Sequence, residues 1–190
     1  DLLIHDIIVG YNEDEPILWW SPNPRSVIFI EEIKISKSMR KILKKELFTV
    51  TFDKCFEEVI CACGDVRDET WISEKFVETY TKLYDMGIAH SVEVWNGKRL
   101  VGGLYGLSLG KMFFGESMFS IETNSSKIAL IKLCEYLKEK DYYVVDCQVH
   151  NSHLESMGAR EIERSEFLKI LENQINKKGK YSKWDIQDKK

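Results

Sequence analysis

A chain of 190 residues that is 44% hydrophobic and 31% charged is long enough for one domain with a sizeable core and a small appendage, and its composition is that of an ordinary globular protein, not a disordered or fibrous one. No apolar run approaches the roughly 18 residues that a membrane-spanning helix needs. A net charge of −4 argues against bulk, sequence-independent nucleic-acid binding.

The opening DLLIHDIIVG carries Asp1, His5 and Asp6 without a basic flank, so it is not an export signal, and an odd number of cysteines fits a reduced, cytoplasmic setting. The segment up to Pro24 reads as irregular and aromatic, with Tyr11, Trp19 and Trp20. Ser21-Pro22-Asn23-Pro24 then forbids regular structure and marks a boundary. A short strand is expected at Val27–Ile30, followed by a helix from about Ser36. Residues 34–45 hold six basic side chains in twelve positions. On a helix, Lys37, Arg40, Lys41, Lys44 and Lys45 share a face while Met39, Ile42 and Leu43 turn inward. This is either a solvated face or a phosphate-binding ridge.

A second strand at Phe48–Phe52 leads to Asp53, which is placed to cap a helix ending at Gly64. Phe56, Val59, Ile60 and Cys63 form the apolar stripe of that helix, so Cys61 and Cys63 read as buried helix cysteines and not as metal ligands. Trp71 closes the next loop. Ser73 opens a helix carrying Phe76, Val77, Tyr80, Leu83 and Tyr84, which Gly87 ends. The period then changes: Ser91–Trp95 is a strand, Asn96-Gly97 is the favoured two-residue turn, and two further strands complete a meander. Thr123–Ser126 caps a long amphipathic helix that buries Leu130, Leu133, Cys134 and Leu137. Tyr142–Val149 is a near-continuous apolar strand, Ser165–Ile175 a last helix, and a charged tail begins at Lys177.

The meander's hairpin, LVGGLYGLSLGKMFFGESMFS from Leu100 to Ser120, holds Gly102, Gly103 and Gly106 within five residues. Glycines at that density inside strands mark a bulge or a close approach of backbone or ligand. Its second arm delivers Glu116, a lone carboxylate among Phe113, Phe114, Met118 and Phe119, either solvated at a strand end or aimed into a site. On the last strand, alternation puts Asp146 and Gln148 on one face and Cys147 on the other. Gln148 can orient or hydrogen-bond but cannot titrate. Gly115-Glu-Ser-Met-Phe119 is not a nucleophile elbow, because its last residue is not glycine. His150 and His153 lack a carboxylate to complete a zinc motif and read as surface histidines. No metal or other cofactor is called for.

A three-strand meander, a helix and a further apolar strand is the core order of an acetyltransferase-like (GNAT-like) fold, so the expected class is α+β (mixed α/β): a mixed sheet with flanking helices and a small N-terminal segment. The turn at residues 120–126 has no glycine and carries Glu122, a poor cradle for the pyrophosphate of an acyl-CoA. An acyl-CoA amine acetyltransferase and a non-catalytic RNA-binding protein stand as the alternative functions.

The motifs WWSPNPR, TWIS, GGLYG, FFGESMFS, SSKIAL, DCQV and HLESMGAREI together resemble the bacterial leucyl/phenylalanyl-tRNA–protein transferases over nearly the whole stretch from Glu15 to Phe167. The resemblance implies an enzyme that moves leucine or phenylalanine from aminoacyl-tRNA to the N-terminal arginine or lysine of a protein, marking it for degradation. It implies Asp146 and Gln148 as the catalytic pair and Glu116 as a substrate-binding acid. Trp71 and Tyr80 would hold the 3'-terminal adenosine. Leu104, Phe113, Met118, Leu130, Leu133, Leu137 and Val145 would form the pocket for the transferred side chain, and Lys37, Arg40, Lys41, Lys44 and Lys45 would meet the tRNA backbone. It also makes residues 1–24 the remnant of a small N-terminal domain and residues 25–190 the catalytic domain. There is one departure: where the family carries an aromatic Gly-x-Phe-Pro-Trp motif just before the position of Tyr11, this chain reads Asp6-Ile-Ile-Val-Gly10.

Overall fold

The computed structural model describes residues 8–10, 18–65, 72–177, 179 and 182–184. Two short strands, β1 (Ile8–Gly10) and β2 (Leu18–Trp20), pair antiparallel in a sheet of their own, where the sequence suggests irregular chain. Triplets this short show no alternation to read. The main sheet contains β3 (Arg25–Phe29), β4 (Thr49–Phe52), β5 (Ala89–Asn96), β6 (Arg99–Leu109), β7 (Met112–Ser120), β8 (Val144–Gln148) and β9 (Arg160–Ile162), in the order β4-β5-β6-β7-β8-β3-β9. The result is an open, mixed α/β sheet with flanking helices. All of its pairs are antiparallel except β7 with β8. The last strand, β9, escapes a sequence reading because only Ile162 of its three residues is buried.

The helices are α1 (Lys37–Leu43), α2 (Phe56–Asp65), α3 (Glu74–Asp85), α4 (Ser125–Glu139), α5 (Ser152–Glu155) and α6 (Arg164–Ile175). Strand alternation sends side chains to two apolar layers. On one face Ile28, Val92, Leu104, Phe113 and Val145 meet Ile128, Leu130, Leu133 and Leu137 of α4. On the other, Val27, Phe114 and Val144 meet Phe56 and Ile60 of α2, Phe76 of α3 and Phe167 of α6. None of the described helices is long and apolar enough to cross a membrane.

Capping follows the sequence at Ser36 and Ser73, whose hydroxyls accept from the backbone N–H of Met39 and Phe76. It fails at Asp53. That residue has φ +53°, and its carboxylate turns away from α2 to accept from the Ser91 N–H, from His90 and from the Trp184 N–H. Binding to a neighbouring strand displaces the local cap. Cys61 is exposed while Cys63 is buried, since only Cys63 lies on the helix stripe. The β5–β6 turn also shifts by one residue: Asn96 pairs with Arg99, and Gly97-Lys98 form the loop with Gly97 at φ +60°.

The hairpin glycines do both things expected of them. A Cβ on Gly106 would lie 2.1 Å from the Phe114 carbonyl oxygen and 2.7 Å from the Phe113 ring. The register also slips beside it, Tyr105 facing Ser117 and Gly106 facing Gly115, so Glu116 is the extra residue of a β-bulge.

Candidate active site

The bulge at Glu116 has a counterpart on the neighbouring strand. Ser26 of β3 faces Gln148 while Val27 faces Asp146, so Cys147 is the extra residue of β8. Parallel pairing of β7 and β8 runs from Met112↔Val144 to Phe114↔Asp146 and goes no further. Beyond it the strands part around a cavity of about 540 Å³, a size suited to a small organic group. Leu104, Phe113, Met118, Leu130, Leu133 and Val145 form its apolar wall, and Glu116, Asp146 and Gln148 line it as well. Leu137 is the exception among the expected pocket residues: fully buried on the inner face of α4, it belongs to the core and not to the cavity wall.

The polar group is built on a residue that sequence reasoning misses. Arg25, only 2% exposed, grips the fully buried Asp146 through two bonds, Nε to Oδ1 at 3.0 Å and Nη2 to Oδ2 at 2.7 Å. Its guanidinium also lies over the Phe167 ring, 4.9 Å from the centroid. A planar fork matched to a carboxylate is the geometry arginine provides and lysine does not. Asp146 Oδ1 accepts a third bond, from the Gln148 backbone N–H at 2.9 Å. That bond holds Gln148 at φ +67°, a left-handed conformation uncommon outside glycine. The Gln148 side chain then spans the gap between the strands, Nε2 donating to the Gly115 carbonyl at 2.9 Å. Gln148 also hydrogen-bonds Glu116. With the amide protons so engaged, Oε1 is the acceptor the residue presents.

Burial raises the Glu116 carboxyl to about 7, and the negative charge of Asp146 adds to the rise; hydrogen bonds from Tyr80 and Gln148 and the positive charge of Arg25 oppose it. A carboxyl so placed gains or loses its charge near neutrality. Tyr80 serves this acid with its hydroxyl while its ring stacks on Phe76 at 4.2 Å and meets Tyr105 edge-on at 5.7 Å. Trp71 lies outside the described residues.

His153, expected at the surface, lines the cavity together with Ser126 and Asn151, and its Nε2 is buried without a hydrogen-bond partner. Burial, assisted by the nearby Lys127, lowers its pKa, so it is neutral near pH 7. The signal was available in sequence: Asn151 caps α5 by accepting from His153 N, and a cap so soon after a buried strand keeps the next residues near the strand's end. Of the basic side chains, Lys37, Arg40 and Lys41 lie on α1 as expected, while Lys44 and Lys45, expected on the same helix, come just past its last turn; all five are exposed. Arg40 folds back to donate to the Ile35 carbonyl at 3.1 Å.

Chemically, the site offers an apolar chamber, a fixed amide acceptor and a carboxyl that is anionic above neutrality, while the cationic ridge at residues 37–45 is no part of its lining. The site can seat an uncharged side chain, hold an amine by hydrogen bonds and receive a cation. The family model described as "Leucyl/phenylalanyl-tRNA protein transferase" matches residues 27–172. The leucyl/phenylalanyl-tRNA–protein transferase of Flavobacterium johnsoniae is 56% identical over 88% of this chain and 81% of its own. That of Hydrogenovibrio crunogenus is 48% identical over 95% and 72%, and that of Christiangramia forsetii 54% over 87% and 81%. Among solved structures, that of L-PGS from Bacillus licheniformis overlaps 70% of this chain and 49% of its own with a TM-score of 0.49 and 12% identity, a likeness too slight to assign a fold family. Glu116, Asp146 and Gln148 thus lie inside a match covering most of the chain, and the chain belongs to the leucyl/phenylalanyl-tRNA–protein transferase family.

Proposed function

We propose that the chain transfers leucine or phenylalanine from aminoacyl-tRNA to the N-terminal arginine or lysine of a protein in the cytoplasm, marking that protein for degradation. The observation that carries this reading is the convergence of Glu116, Asp146 and Gln148 on one apolar chamber where β7 and β8 part, in a chain of this family. The parting of two parallel strands after a meander and beside α4 also supports an acetyltransferase-like catalytic unit, with residues 1–24 as an appendage to residues 25–190.

In this reading the leucyl or phenylalanyl side chain enters the apolar wall, and the donor ester lies at the mouth beside Gln148. Tyr80, with Trp71, holds the terminal adenosine. The ester is already activated, so catalysis comes chiefly from holding an uncharged α-amine against it. Gln148 Oε1 accepts an N–H of that amine. Asp146, held by Arg25, fixes Gln148 and is a positioning group: its oxygens already take three donors and have little capacity left for the amine proton. Glu116 receives the cationic side chain of the acceptor, whose approach favours its charged form. Attack forms the amide C–N bond and breaks the C–O bond to the ribose, and the amine proton leaves with the ribose hydroxyl. The basic ridge holds tRNA phosphates without reading sequence.

The helix start at residues 120–126 gives no support to an acyl-CoA donor, since Glu122 occupies it and is bonded to Asn96 and Arg99. The test is incubation with radiolabelled Leu-tRNA and a peptide beginning with arginine. Label on the peptide is expected, and an alanine-starting peptide is expected to stay unlabelled. Label on neither peptide would overturn the reading.

A further inference from the structure

Trp184 follows a charged stretch that the sequence gives no reason to bury, yet it is only 5% exposed. Its backbone N–H donates to Asp53 Oδ2 at 2.6 Å. Its ring lies flat on His90, 3.8 Å between centroids and 7° between planes. Lys183 beside it covers the Tyr84 ring at 4.2 Å. The indole is therefore held by a backbone bond, a stacked ring and an anchored neighbour.

The other rings that Trp184 touches matter more. One is Phe113, with ring centroids 5.8 Å apart and planes at 39°, and Phe113 is a wall of the chamber described above. Others are Tyr136 at 4.8 Å and Phe52 at 6.3 Å, which line a second cavity of about 530 Å³ along β4 and α4. Trp184 lines neither cavity but packs against residues that line each. Phe113 has little freedom elsewhere, since its ring already lies within 2.7 Å of the place a Cβ on Gly106 would take.

We propose that Trp184 is a positioning residue that sets the depth of the aminoacyl pocket by backing Phe113, so that selection among aminoacyl side chains depends on a residue that never touches the substrate. The proposal rests on the reading of the chamber as the aminoacyl pocket. Interiors are close-packed, and truncating a large ring leaves a void that its neighbours fill only in part. Of the rings around Trp184, Phe113 is the one that lines the chamber, and as it moves towards the void the chamber deepens. Leucine loses contact with the retreating wall, while the larger phenylalanine gains room. A change of one methylene in fit is worth about 10- to 200-fold in discrimination.

The experiment is competitive transfer from mixed Leu-tRNA and Phe-tRNA to one arginine-starting peptide, using the full chain as wild type, Trp184→Ala, Trp184→Phe, Phe113→Ala and the Phe113→Ala/Trp184→Ala double variant. Thermal unfolding fixes an assay temperature at which each is folded. The phenylalanine-to-leucine ratio is expected to rise about tenfold in Trp184→Ala and by less in Trp184→Phe. In the Phe113→Ala background, removing Trp184 is expected to leave the ratio unchanged, because two residues acting through one contact are not additive. Trp184→Phe keeps the question answerable if the alanine variant does not fold. An unchanged ratio in the folded Trp184 variants overturns the proposal, as does an equal shift with and without Phe113. A wild type that transfers neither residue overturns the reading of the site, and the proposal with it.

Discussion

Replacing Arg25 by methionine keeps much of the side-chain volume but leaves the Asp146 carboxylate, fully buried, with the Gln148 N–H in place of three donors. Breaking a buried pair from one side costs about 3–5 kcal/mol, because the surviving charge is stranded. For a chain of this size each kcal/mol lowers the melting temperature by about 2–4 °C, so Arg25→Met is expected to melt about 6–20 °C below wild type. The informative companion is the Arg25→Met/Asp146→Met double variant. Exchanging a whole buried pair for apolar residues is often neutral or stabilising, so the double variant is expected to regain most of the lost stability. It is not expected to regain transfer, because the bond from Gln148 N–H to Asp146 Oδ1 that sets the amide is gone. Thermal unfolding by circular dichroism, read beside the transfer rate on an arginine-starting peptide, separates the two roles. A double variant both stable and fully active would refute the claim that Asp146 acts by positioning Gln148. A loss below about 1 kcal/mol in Arg25→Met, the level of an exposed ion pair, would refute the burial argument.

Four further outcomes are expected. Because the Glu116 carboxyl is raised to about 7 from 4.5, the unfolded chain releases this proton between those values while the native protein keeps it; wild-type stability falls relative to Glu116→Gln as pH rises across that window. Wild-type affinity for an arginine-starting peptide should climb as pH passes about 7 and the carboxylate forms, and a wild-type-to-Glu116→Gln affinity ratio that is flat with pH would contradict this. Alanine at both Lys41 and Lys44 should weaken Leu-tRNA binding and reduce the salt slope by about one unit per lost phosphate contact, whereas an unchanged slope returns the ridge to a solvated face. Gly106→Ala drives a Cβ into the Phe114 carbonyl and the Phe113 ring, so a loss of about 1–3 kcal/mol, measured by urea denaturation, should come with reduced transfer.

Much of the site was legible because its signals are local. Asp146 and Gln148 stand out as the polar residues of an otherwise apolar strand, and Glu116 stands out in an apolar, glycine-marked hairpin; alternation misleads only for Cys147, expected on the opposite face, which lines the cavity beside them. What escaped depends on long-range partners. Arg25 follows a proline-rich turn where arginine is ordinarily exposed, and its burial is decided by a carboxylate 121 positions away. Asp53 looks like a helix cap until His90, Ser91 and Trp184 compete for it. Leu137 and Leu133 share one helix stripe, and periodicity cannot say that only Leu133 reaches the cavity. The bulges at Glu116 and Cys147 break alternation where the strands part, so no pattern of period two could have fixed which side chains face the chamber.

If transfer depends on the Gln148 amide held in the chamber, single-turnover transfer of leucine from Leu-tRNA to an arginine-starting peptide by wild type and Gln148→Ala shows it. Loss of one preorganised hydrogen-bonding group costs about 10²–10³ in rate, so a drop of that size with Leu-tRNA affinity unchanged is expected; a Gln148→Ala protein that is folded and transfers leucine at the wild-type rate would contradict the account.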